Sequence, residues 1–463
     1  MRMRRIFGAV LLGATLVMVG AGCSGDSAST ANTTKPVTLT YWRVFDDEDA
    51  FTEIISSYRV LHPNVKIEYR KLRAEEYEEE LLKALAKGEG PDIFSVHNSR
   101  VAEFQDLLQP MPASVQISTL EVQGSLRKET VYVPKTVTLY TQKQLEQQFV
   151  DVVAEDAVLP YQPDEDTPAT DRIYGLPLSV DTMALYYNQD LLNAAGIAEP
   201  PTTWDAFQEA VIKLTKIDAN GQVTQSGAAL GTSENVERSS DILALLMMQN
   251  GTQMTDDRGR VAFQTIPVGT ERGVFPALDA TRFYTDFANP AKETYTWNDS
   301  FPNSFDAFTR GQTAFFLGYS YHAPLITAAN PKLRFEVSAA PQISGGRQVN
   351  YANYWIEGVS KNTDASNYAW DFLAYAAKAE NVASYLEEAQ KPTALRSVIN
   401  AQLEDDFLGV FASQILLADS WYHGKDALAA EQAFYDLIDA ILNGSAEPED
   451  EVESAARIIS QTY

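Results

Sequence analysis

Hydrophobic and polar positions alternate along the first part of the chain with two distinct periods. Val37–Val44 reads VTLTYWRV, in which β-branched and aromatic residues follow the two-residue repeat of a strand. Apolar residues at 51–58 recur every three or four positions, as on one face of a helix. A second strand pattern at 65–69 and a second helix pattern at 77–85 precede a short apolar strand at 92–96. This β-α-β-α-β order predicts parallel strands covered by helices.

The rest of the chain continues the mixture of strands and helices. Residues 173–188 indicate two strands around a turn, and residues 305–316 pass from a helix to a strand across Gly311. Thr203 is a plausible N-cap for an apolar-faced helix that begins at Trp204. Residues 111–170 give no clear pattern. Further helices are predicted at 243–248, 369–379 and 434–442, and in the acidic stretch from 446. We predict an α/β protein with two lobes.

Composition excludes several classes of protein. Hydrophobic residues make up 45% of the 463 residues and charged residues 21%, which is ordinary for a globular chain with sizeable cores. The 63 acidic residues outnumber the 36 basic ones, so the net charge of −27 argues against a nucleic-acid partner, a polyanionic ligand and an anionic lipid surface. A single cysteine excludes a disulfide framework and a cysteine-based metal site. We expect neither cofactor nor metal.

The first 23 residues resemble a bacterial lipoprotein signal. Three arginines precede the apolar stretch 6–19, small residues follow, and the chain's single cysteine, Cys23, comes next. The resemblance implies removal of residues 1–22 and lipidation of Cys23. Residues 23–36, which are small and polar, are then a flexible tether to the outer face of the cell membrane. A conventional secretory signal with an incidental cysteine is the alternative. No other stretch reaches eighteen consecutive apolar residues, so we expect no membrane span.

Six segments, in order along the chain, resemble the family 1 extracellular solute-binding proteins, which are receptors of ABC importers. They include the stretch 174–205, which resembles the family pattern from Y-G-x-P to P-x-T-W-[DE]. The segments are GEGPDI (88–93), YGLPLSVDTMALYYNQDLLNAAGIAEPPTTWD (174–205), FTRGQTAFFLGYSYHAPLI (308–326), GVSKN with AWDFL (358–362 and 369–373), KPT (391–393) and NG (443–444).

The resemblance implies a two-lobed, type II periplasmic-binding-protein-like fold. Each lobe is then a mainly parallel sheet flanked by helices, and the chain crosses between lobes three times, near 179–182, 337–343 and 390–392. The first lobe is expected to contain 37–180 and 342–390, and the second 181–341 and 391–463. Ligand binds in the cleft and hinge closure buries it. The family resemblance implies a monomer that delivers a neutral solute, most simply a sugar, to permease subunits.

A sugar site needs carboxylates or amides for the hydroxyls and aromatic rings for the apolar sugar faces. Asp181 follows a strand at a predicted crossing, where the matching family position is an acid that contacts sugar; a hinge or capping acid is the alternative. His97 and Asn98 follow the strand at 92–96, and His97 is equally well explained as a surface or capping residue. Asp46 and Asp47 follow the first strand, where four consecutive acids are also typical of a solvated turn.

Several aromatic residues are further candidates. Trp421 matches a late family segment that carries a stacking ring, although packing beside Tyr422 explains it equally well. Alternation along the chain predicts that one of Tyr319 and Tyr321 faces the cleft. Trp355 precedes the strand that ends at Val359 and is a similar candidate. A polar loop of the second lobe adds weaker candidates, which are Glu234, Asn235 and Arg238.

Motifs for enzymatic chemistry are missing from the sequence. It contains four histidines and no H-E-x-x-H, G-x-S-x-G, G-x-G-x-x-G or P-loop pattern. We therefore predict no enzyme. A surface glycan hydrolase remains the alternative, because two carboxylates at a set separation suffice for that reaction and 63 acids are available. A second alternative keeps the fold but exchanges the sugar for a polyamine or another non-sugar solute.

Overall fold

The computed structural model describes residues 35–125, 127–164 and 166–463. The predicted lipoprotein signal, Cys23 and nearly all of the predicted tether lie outside these residues. Within the described part, no helix is both long and apolar enough to cross a membrane. Nor does any group of three or more His, Cys, Asp or Glu side chains among those residues form a candidate metal site.

Seventeen strands are present in the described residues. They are β1 (Val37–Val44), β2 (Val65–Leu72), β3 (Ile93–His97), β4 (Ser114–Gln123), β5 (Glu129–Thr138), β6 (Val158–Tyr161), β7 (Thr170–Ile173), β8 (Leu176–Pro177), β9 (Asp181–Thr182), β10 (Ala184–Asn188), β11 (Lys216–Ile217), β12 (Val223–Ala228), β13 (Thr313–Gly318), β14 (Phe335–Ala339), β15 (Asn350–Asn353), β16 (Trp355–Val359) and β17 (Ala418–Asp419).

The described residues also form seventeen α-helices. They are α1 (Thr52–Leu61), α2 (Ala74–Lys87), α3 (Val101–Phe104), α4 (Gln142–Gln148), α5 (Asp151–Ala157), α6 (Gln189–Ala194), α7 (Trp204–Leu214), α8 (Ser239–Gln249), α9 (Pro276–Thr285), α10 (Ser304–Thr309), α11 (His322–Ala329), α12 (Ser366–Ala376), α13 (Ala379–Ala389), α14 (Ile399–Gln402), α15 (Leu408–Gln414), α16 (Ala427–Leu442) and α17 (Pro448–Ser460).

The first lobe is built on a five-stranded sheet in the order β2-β1-β3-β16-β8. β1 pairs in parallel with β2 and β3, whereas β16 runs antiparallel to both β3 and β8. Helices cover this sheet, and one apolar cluster fills the lobe, with Tyr41, Phe94 and Trp370 wholly buried in it. The cluster draws on residues 39–180 and again on residues 352–415.

The second lobe is built on a five-stranded sheet in the order β11-β12-β13-β10-β14. Here β12 and β13 are parallel, and the other neighbours are antiparallel. A separate apolar cluster fills this lobe, drawing on residues 183–351 and 421–459. Trp297 and Phe315 are almost wholly buried in it.

A small sheet of β17, β15 and β9 lies where the chain changes from one apolar cluster to the other. The first change falls between Val180 and Met183, at β9, and the second between Tyr351 and Ala352, within β15. The third falls between Ile415 and Trp421, around β17. Three short paired strands therefore join the lobes, which is the expected number of crossings.

Two of the expected crossings are displaced from these positions. The structure places the second change at 351–352 rather than 337–343, and the third at 415–421 rather than 390–392. Ala394, Leu395 and Ile399 pack in the first cluster, so the segment from 391 to 415 contributes to the first lobe. The expected positions of the crossings came from matches to family motifs. Such matches do not show which of the two apolar cores a residue packs in.

The sheets are mixed rather than mainly parallel, and the crossings explain this difference. β3 ends at the edge of its sheet that faces the second lobe. β16 begins at that same edge, directly after the second crossing, so its first residue Trp355 pairs with His97, the last residue of β3. The two strands therefore run in opposite directions. β10 arrives in the same way from β9, so Ala184 pairs with Gly318 and β10 runs antiparallel to β13.

Most of the predicted elements are confirmed. β1 has the predicted bounds, Gly88 ends α2 in the left-handed conformation that glycine favours, and Thr203 caps α7 by accepting a bond from Ala206 N. Gly311 separates α10 from β13 as expected. The unclear region 111–170 contains a long β4–β5 hairpin, two short helices and strands β6 and β7.

Candidate functional site

Two adjoining cavities lie between the lobes, and we refer to them together as the cleft. The larger one has a volume of about 350 Å³ and the smaller one about 150 Å³. His97 and Trp355 of the first lobe and Arg238 of the second line both cavities. His97 ends β3 and Trp355 begins β16, so the antiparallel pairing of these strands places both side chains at the same sheet edge.

Aromatic rings from both lobes line the cleft. Trp355 lies edge-on to His97, with ring centres 5.4 Å apart. Trp421 lines the larger cavity, although it is only 5% exposed and stacks on Phe434 at 5.4 Å. Tyr321 lines the smaller cavity and stacks across the lobe boundary on Phe45, with ring centres 5.8 Å apart and planes 10° apart. The cleft therefore offers flat apolar surfaces on either side.

Arg238 is the positively charged residue that lines both cavities. Its guanidinium donates two bonds to Asp241, at 2.8 and 2.7 Å, and lies 3.6 Å from Glu431. Tyr319 OH also donates to Asp241, at 2.6 Å. Asp241 is buried, and a longer contact from Asn353 Nδ2, at 3.4 Å, adds to these three donated bonds.

Backbone strain is concentrated beside the cleft. Among the described residues other than glycine, a positive φ occurs at Phe45 (70°), Arg238 (59°) and Gln390 (50°). Phe45 and Arg238 line the smaller cavity, and Gln390 lies two residues before Pro392, which also lines it. Each such conformation costs on the order of 1–2 kcal/mol, and this kind of strain clusters at functional sites.

Asp181 lies at the first crossing and lines the smaller cavity. One carboxylate oxygen accepts bonds from Ser320 N at 2.9 Å and from Ser320 Oγ at 2.5 Å, and the other accepts from Thr182 N. Burial raises the pKa of Asp181 to about 7, against the lowering effect of these three bonds. Both interpretations of the sequence agree with this position, because Asp181 lies at a crossing between the lobes and also lines the cleft.

Asp181→Asn is expected to flatten the dependence of stability on pH. The pKa is higher in the folded chain than its ordinary value of 3.8, so the folded state retains a proton that the unfolded state loses. The stabilising contribution is therefore present at pH 4 and is lost as the pH rises through 7. The difference in the free energy of unfolding between wild type and Asp181→Asn, measured by urea titration, should therefore change by on the order of 4 kcal/mol between pH 4 and pH 8.

Asp47→Asn is the matched control, because this carboxyl is 76% exposed and pairs with Lys71 at the surface. If the gap between wild type and Asp181→Asn is the same at pH 4 and pH 8, the burial of Asp181 does not govern its titration.

The structure places six of the expected ligand residues in the cleft. They are Asp181, His97, Trp355, Tyr321, Trp421 and the weaker candidate Arg238. His97 also accepts a bond from Ser99 N, so it caps the turn that follows β3. Burial lowers the pKa of His97 to about 4, which leaves it neutral at physiological pH. Of the two tyrosines offered by alternation, Tyr321 is the one that faces the cleft.

The other expected residues are engaged elsewhere and do not line the cleft. Asn98 donates a hydrogen bond to Asp156, and the buried Tyr319 donates one to Asp241. Asn235 bonds to Thr232, to Trp297 and to the backbone carbonyls of residues 298 and 301. Buried Asp46 pairs with Arg43 and Lys391, whereas Asp47 is largely exposed and pairs with Lys71. For each of these polar residues, a nearby protein group forms the hydrogen bond or ion pair that the sequence analysis had expected a ligand to form.

Sequence reasoning missed several residues that line the cleft. They are Arg43, Lys391, Asn353, Asp241, Glu431 and Tyr351. Glu431 lies on α16 and Asp241 on α8, far apart in the sequence. In the sequence, each of these two residues appears as an acid on a largely apolar helix. That pattern is too common to identify a binding residue.

Comparison with known proteins identifies the family. The family model described as "Bacterial extracellular solute-binding protein" matches residues 45–383, and the chain belongs to this family. A galactooligosaccharide-binding protein of Bacillus subtilis is 20% identical over 86% of this chain and 83% of its own. An arabinooligosaccharide-binding protein of the same organism is 25% identical over 51% of this chain and 45% of its own. Three binding proteins of Brucella, 23% identical, match this chain over about half of their length (46%) and over 44% of this chain.

Solved structures share the fold. A cyclic α-maltosyl-1,6-maltose binding protein from Arthrobacter globiformis has a TM-score of 0.69 at 18% identity, covering 92% of this chain and 99% of its own. A maltose-binding periplasmic protein from Listeria monocytogenes, in complex with maltose, has a TM-score of 0.67 at 16% identity, covering 92% and 97%. These likenesses establish the two-lobed fold of type II periplasmic solute-binding proteins for this chain.

Proposed function

We propose that this protein binds a neutral oligosaccharide in the cleft and delivers it, chemically unchanged, to the permease subunits of an ABC importer. The observation that carries the proposal is that flat rings and hydrogen-bonding groups line the same cleft: Trp355, Tyr321 and Trp421 together with His97 and Arg238. Rings cover the C–H faces of sugars, and the polar groups bond to the hydroxyls. The oligosaccharide-binding relatives support the same choice of ligand.

The proposal includes a lipid anchor at Cys23 and a monomeric receptor on the outer side of the cell membrane. The support for the anchor is the sequence alone, in which the single cysteine follows an apolar stretch after three arginines. Metabolic labelling with a palmitate analogue tests it: wild type should incorporate label and Cys23→Ala should not. Analytical sedimentation of the purified protein tests whether it is a monomer.

A glycan hydrolase requires one protonated carboxylic acid beside the scissile bond and a second carboxylate opposite it. Arg238 contacts both Asp241 and Glu431, so a single guanidinium already engages both of these cleft carboxylates. Asp181 has the raised pKa that an acid needs, but Ser320 and Thr182 occupy its oxygens. We therefore propose a binding protein without catalytic activity.

One experiment separates the proposed functions. Purified protein is incubated with galacto-, arabino- and maltooligosaccharides and, separately, with spermidine, and each mixture is followed by calorimetry and by chromatography of the sugars. Stoichiometric sugar binding with intact sugars supports the proposal. Release of shorter products identifies a hydrolase, and binding of spermidine alone identifies a polyamine receptor.

Trp355→Ala is expected to weaken sugar binding by about 1–3 kcal/mol, the range for losing a stacked ring and its buried area. Isothermal titration with the sugar that binds wild type measures the change. Trp42→Ala is the matched control, since Trp42 is also a half-buried ring of the first lobe but lies under Arg70, away from the cleft. Equal affinity of Trp355→Ala and wild type would contradict the placement of sugar on this ring.

A further inference from the structure

Asp156 is a fully buried carboxylate that accepts hydrogen bonds from four side chains. One of its oxygens accepts from Asn98 Nδ2 at 3.0 Å and from Tyr354 OH at 2.7 Å. The other oxygen accepts from Ser420 Oγ and lies 2.9 Å from His423 Nε2. A buried carboxylate is tolerated only with such complete partnering, and every donor lost leaves part of its charge unsatisfied.

The four donors come from both sides of the junction between the lobes. Asn98 follows β3, and Tyr354 packs in the apolar cluster of the first lobe, as do the residues of α5 around Asp156. Ser420 and His423 follow the third crossing, and the two residues between them, Trp421 and Tyr422, pack in the cluster of the second lobe. The carboxylate therefore links the first lobe to a short segment of the second.

This short segment, 420–423, also forms part of the cleft. Trp421 and Tyr422 line the larger cavity together with Trp355 of the first lobe. Ser420 and His423 flank them directly, so the two bonds to Asp156 are made one residue before Trp421 and two residues after it. Fixing both ends of so short a segment restricts the position of the Trp421 ring relative to the first lobe.

We propose that Asp156 is a positioning residue for the ligand cleft: through Ser420 and His423 it holds segment 420–423 against the first lobe and so sets the distance between Trp421 and Trp355. The inference rests on the proposed function, because it assigns a ligand to the cleft. Asp156 itself does not line either cavity and would act on ligand only through Trp421.

The charges around His423 give this contact a dependence on pH. Burial lowers the pKa of His423, but the bond to Asp156 and the charges of Asp156, Glu155 and Asp419 outweigh burial, so the pKa lies above its ordinary value. Asp419 is itself paired with Arg347 at 2.6 Å, and Tyr463 and Tyr422 are the other titratable groups beside His423. The charged contact is therefore complete below the ordinary pKa of histidine and is lost as the pH rises through the raised one.

The test compares Asp156→Asn, His423→Gln and Ser420→Ala with wild type. Asp151→Asn is the control, since it removes an exposed carboxylate from the same helix, where it pairs with Arg396. Affinity for an oligosaccharide that binds wild type is measured from pH 5.5 to 8.5. We expect at least a fivefold loss of affinity in Asp156→Asn at pH 5.5, the lower end of ordinary coupling effects. In wild type we expect affinity to decline with rising pH, and in His423→Gln we expect a smaller decline, to which only cleft groups such as Asp181 still contribute.

Trp421 fluorescence, obtained as the difference between each protein and its Trp421→Phe counterpart, gives a second readout without ligand. We expect its emission to shift with pH in wild type and in Asp151→Asn but not in His423→Gln. If no oligosaccharide binds wild type, the proposed function fails, and this ligand-free shift alone decides the role of Asp156. If Asp156→Asn does not fold, Ser420→Ala carries the comparison. Unchanged affinity and emission in folded Ser420→Ala and His423→Gln would overturn the proposal.

Discussion

Arg43→Met should lower the free energy of unfolding by about 3–5 kcal/mol, the cost of removing one partner from a buried ion pair. Arg43 is 3% exposed, and its Nη2 lies 3.1 Å from Glu357 and 3.2 Å from Asp46. Its guanidinium also packs against the rings of Phe51 and Tyr385, at 4.9 and 5.2 Å. The substitution would leave the wholly buried Glu357 with its charge unpaired, because its remaining hydrogen bond comes from the neutral Ser95 hydroxyl.

Arg70→Met is the matched control for this experiment. Arg70 also lies over a ring, that of Trp42 at 4.5 Å, and also pairs with a carboxylate, that of Glu80 at 2.7 Å, but its side chain is 47% exposed. Exposed pairs contribute about 0–1 kcal/mol, so denaturant titrations should separate the two variants clearly. The double variant Arg43→Met/Glu357→Gln should recover part of the loss, because it removes the unpaired charge. Equal losses for Arg43→Met and Arg70→Met would show that burial does not govern this pair.

The fold was predictable wherever local pattern and tertiary structure agree. The strand VTLTYWRV, the Gly88 helix end and the Thr203 N-cap depend on neighbours in sequence, and all three are confirmed. The β4–β5 hairpin was missed because most of its residues are exposed or half-buried on both faces, which removes the alternation that marks a strand. The crossings were displaced because the core that an apolar residue joins is set by contacts distant in sequence.

The sequence predicted the aromatic residues of the candidate site, together with Asp181 and Arg238, but missed its other charged residues. Asp181, Trp355 and Trp421 occur beside recognisable segments, and the structure places all three in the cleft. In contrast, Asn98 and Asp46 have the right residue types after the right strands, yet they serve buried networks with Asp156 and Arg43. A polar residue at a strand end can bond either to a ligand or to a buried protein group. The sequence does not distinguish these two roles, because they depend on which residues lie nearby in the fold.

Arg238→Met is expected to weaken both the folded state and ligand binding. Asp241 is 3% exposed and would lose the bidentate bond at 2.7 and 2.8 Å, leaving Tyr319 OH and a longer contact from Asn353. Removing one partner of a buried pair costs about 3–5 kcal/mol, and the 30% exposure of the Arg238 side chain places the loss in stability at about 3 kcal/mol. Since Arg238 lines both cavities, we also expect at least a tenfold loss of affinity for sugar, or about 1.4 kcal/mol.

Two further variants separate the causes of these losses. Arg260→Met removes a guanidinium that also donates two bonds to a carboxylate, both to one oxygen of Asp256 at 2.8 and 2.6 Å, but with 69% of its side chain exposed. It should therefore change stability far less than Arg238→Met does. Arg238→Gly removes the same charge and also relieves the backbone, whose φ of 59° favours glycine. It should therefore be more stable than Arg238→Met by about 1 kcal/mol while binding sugar equally weakly. If Arg238→Gly binds sugar as well as wild type does, the guanidinium takes no part in recognition, and the rings of the cleft alone hold the ligand.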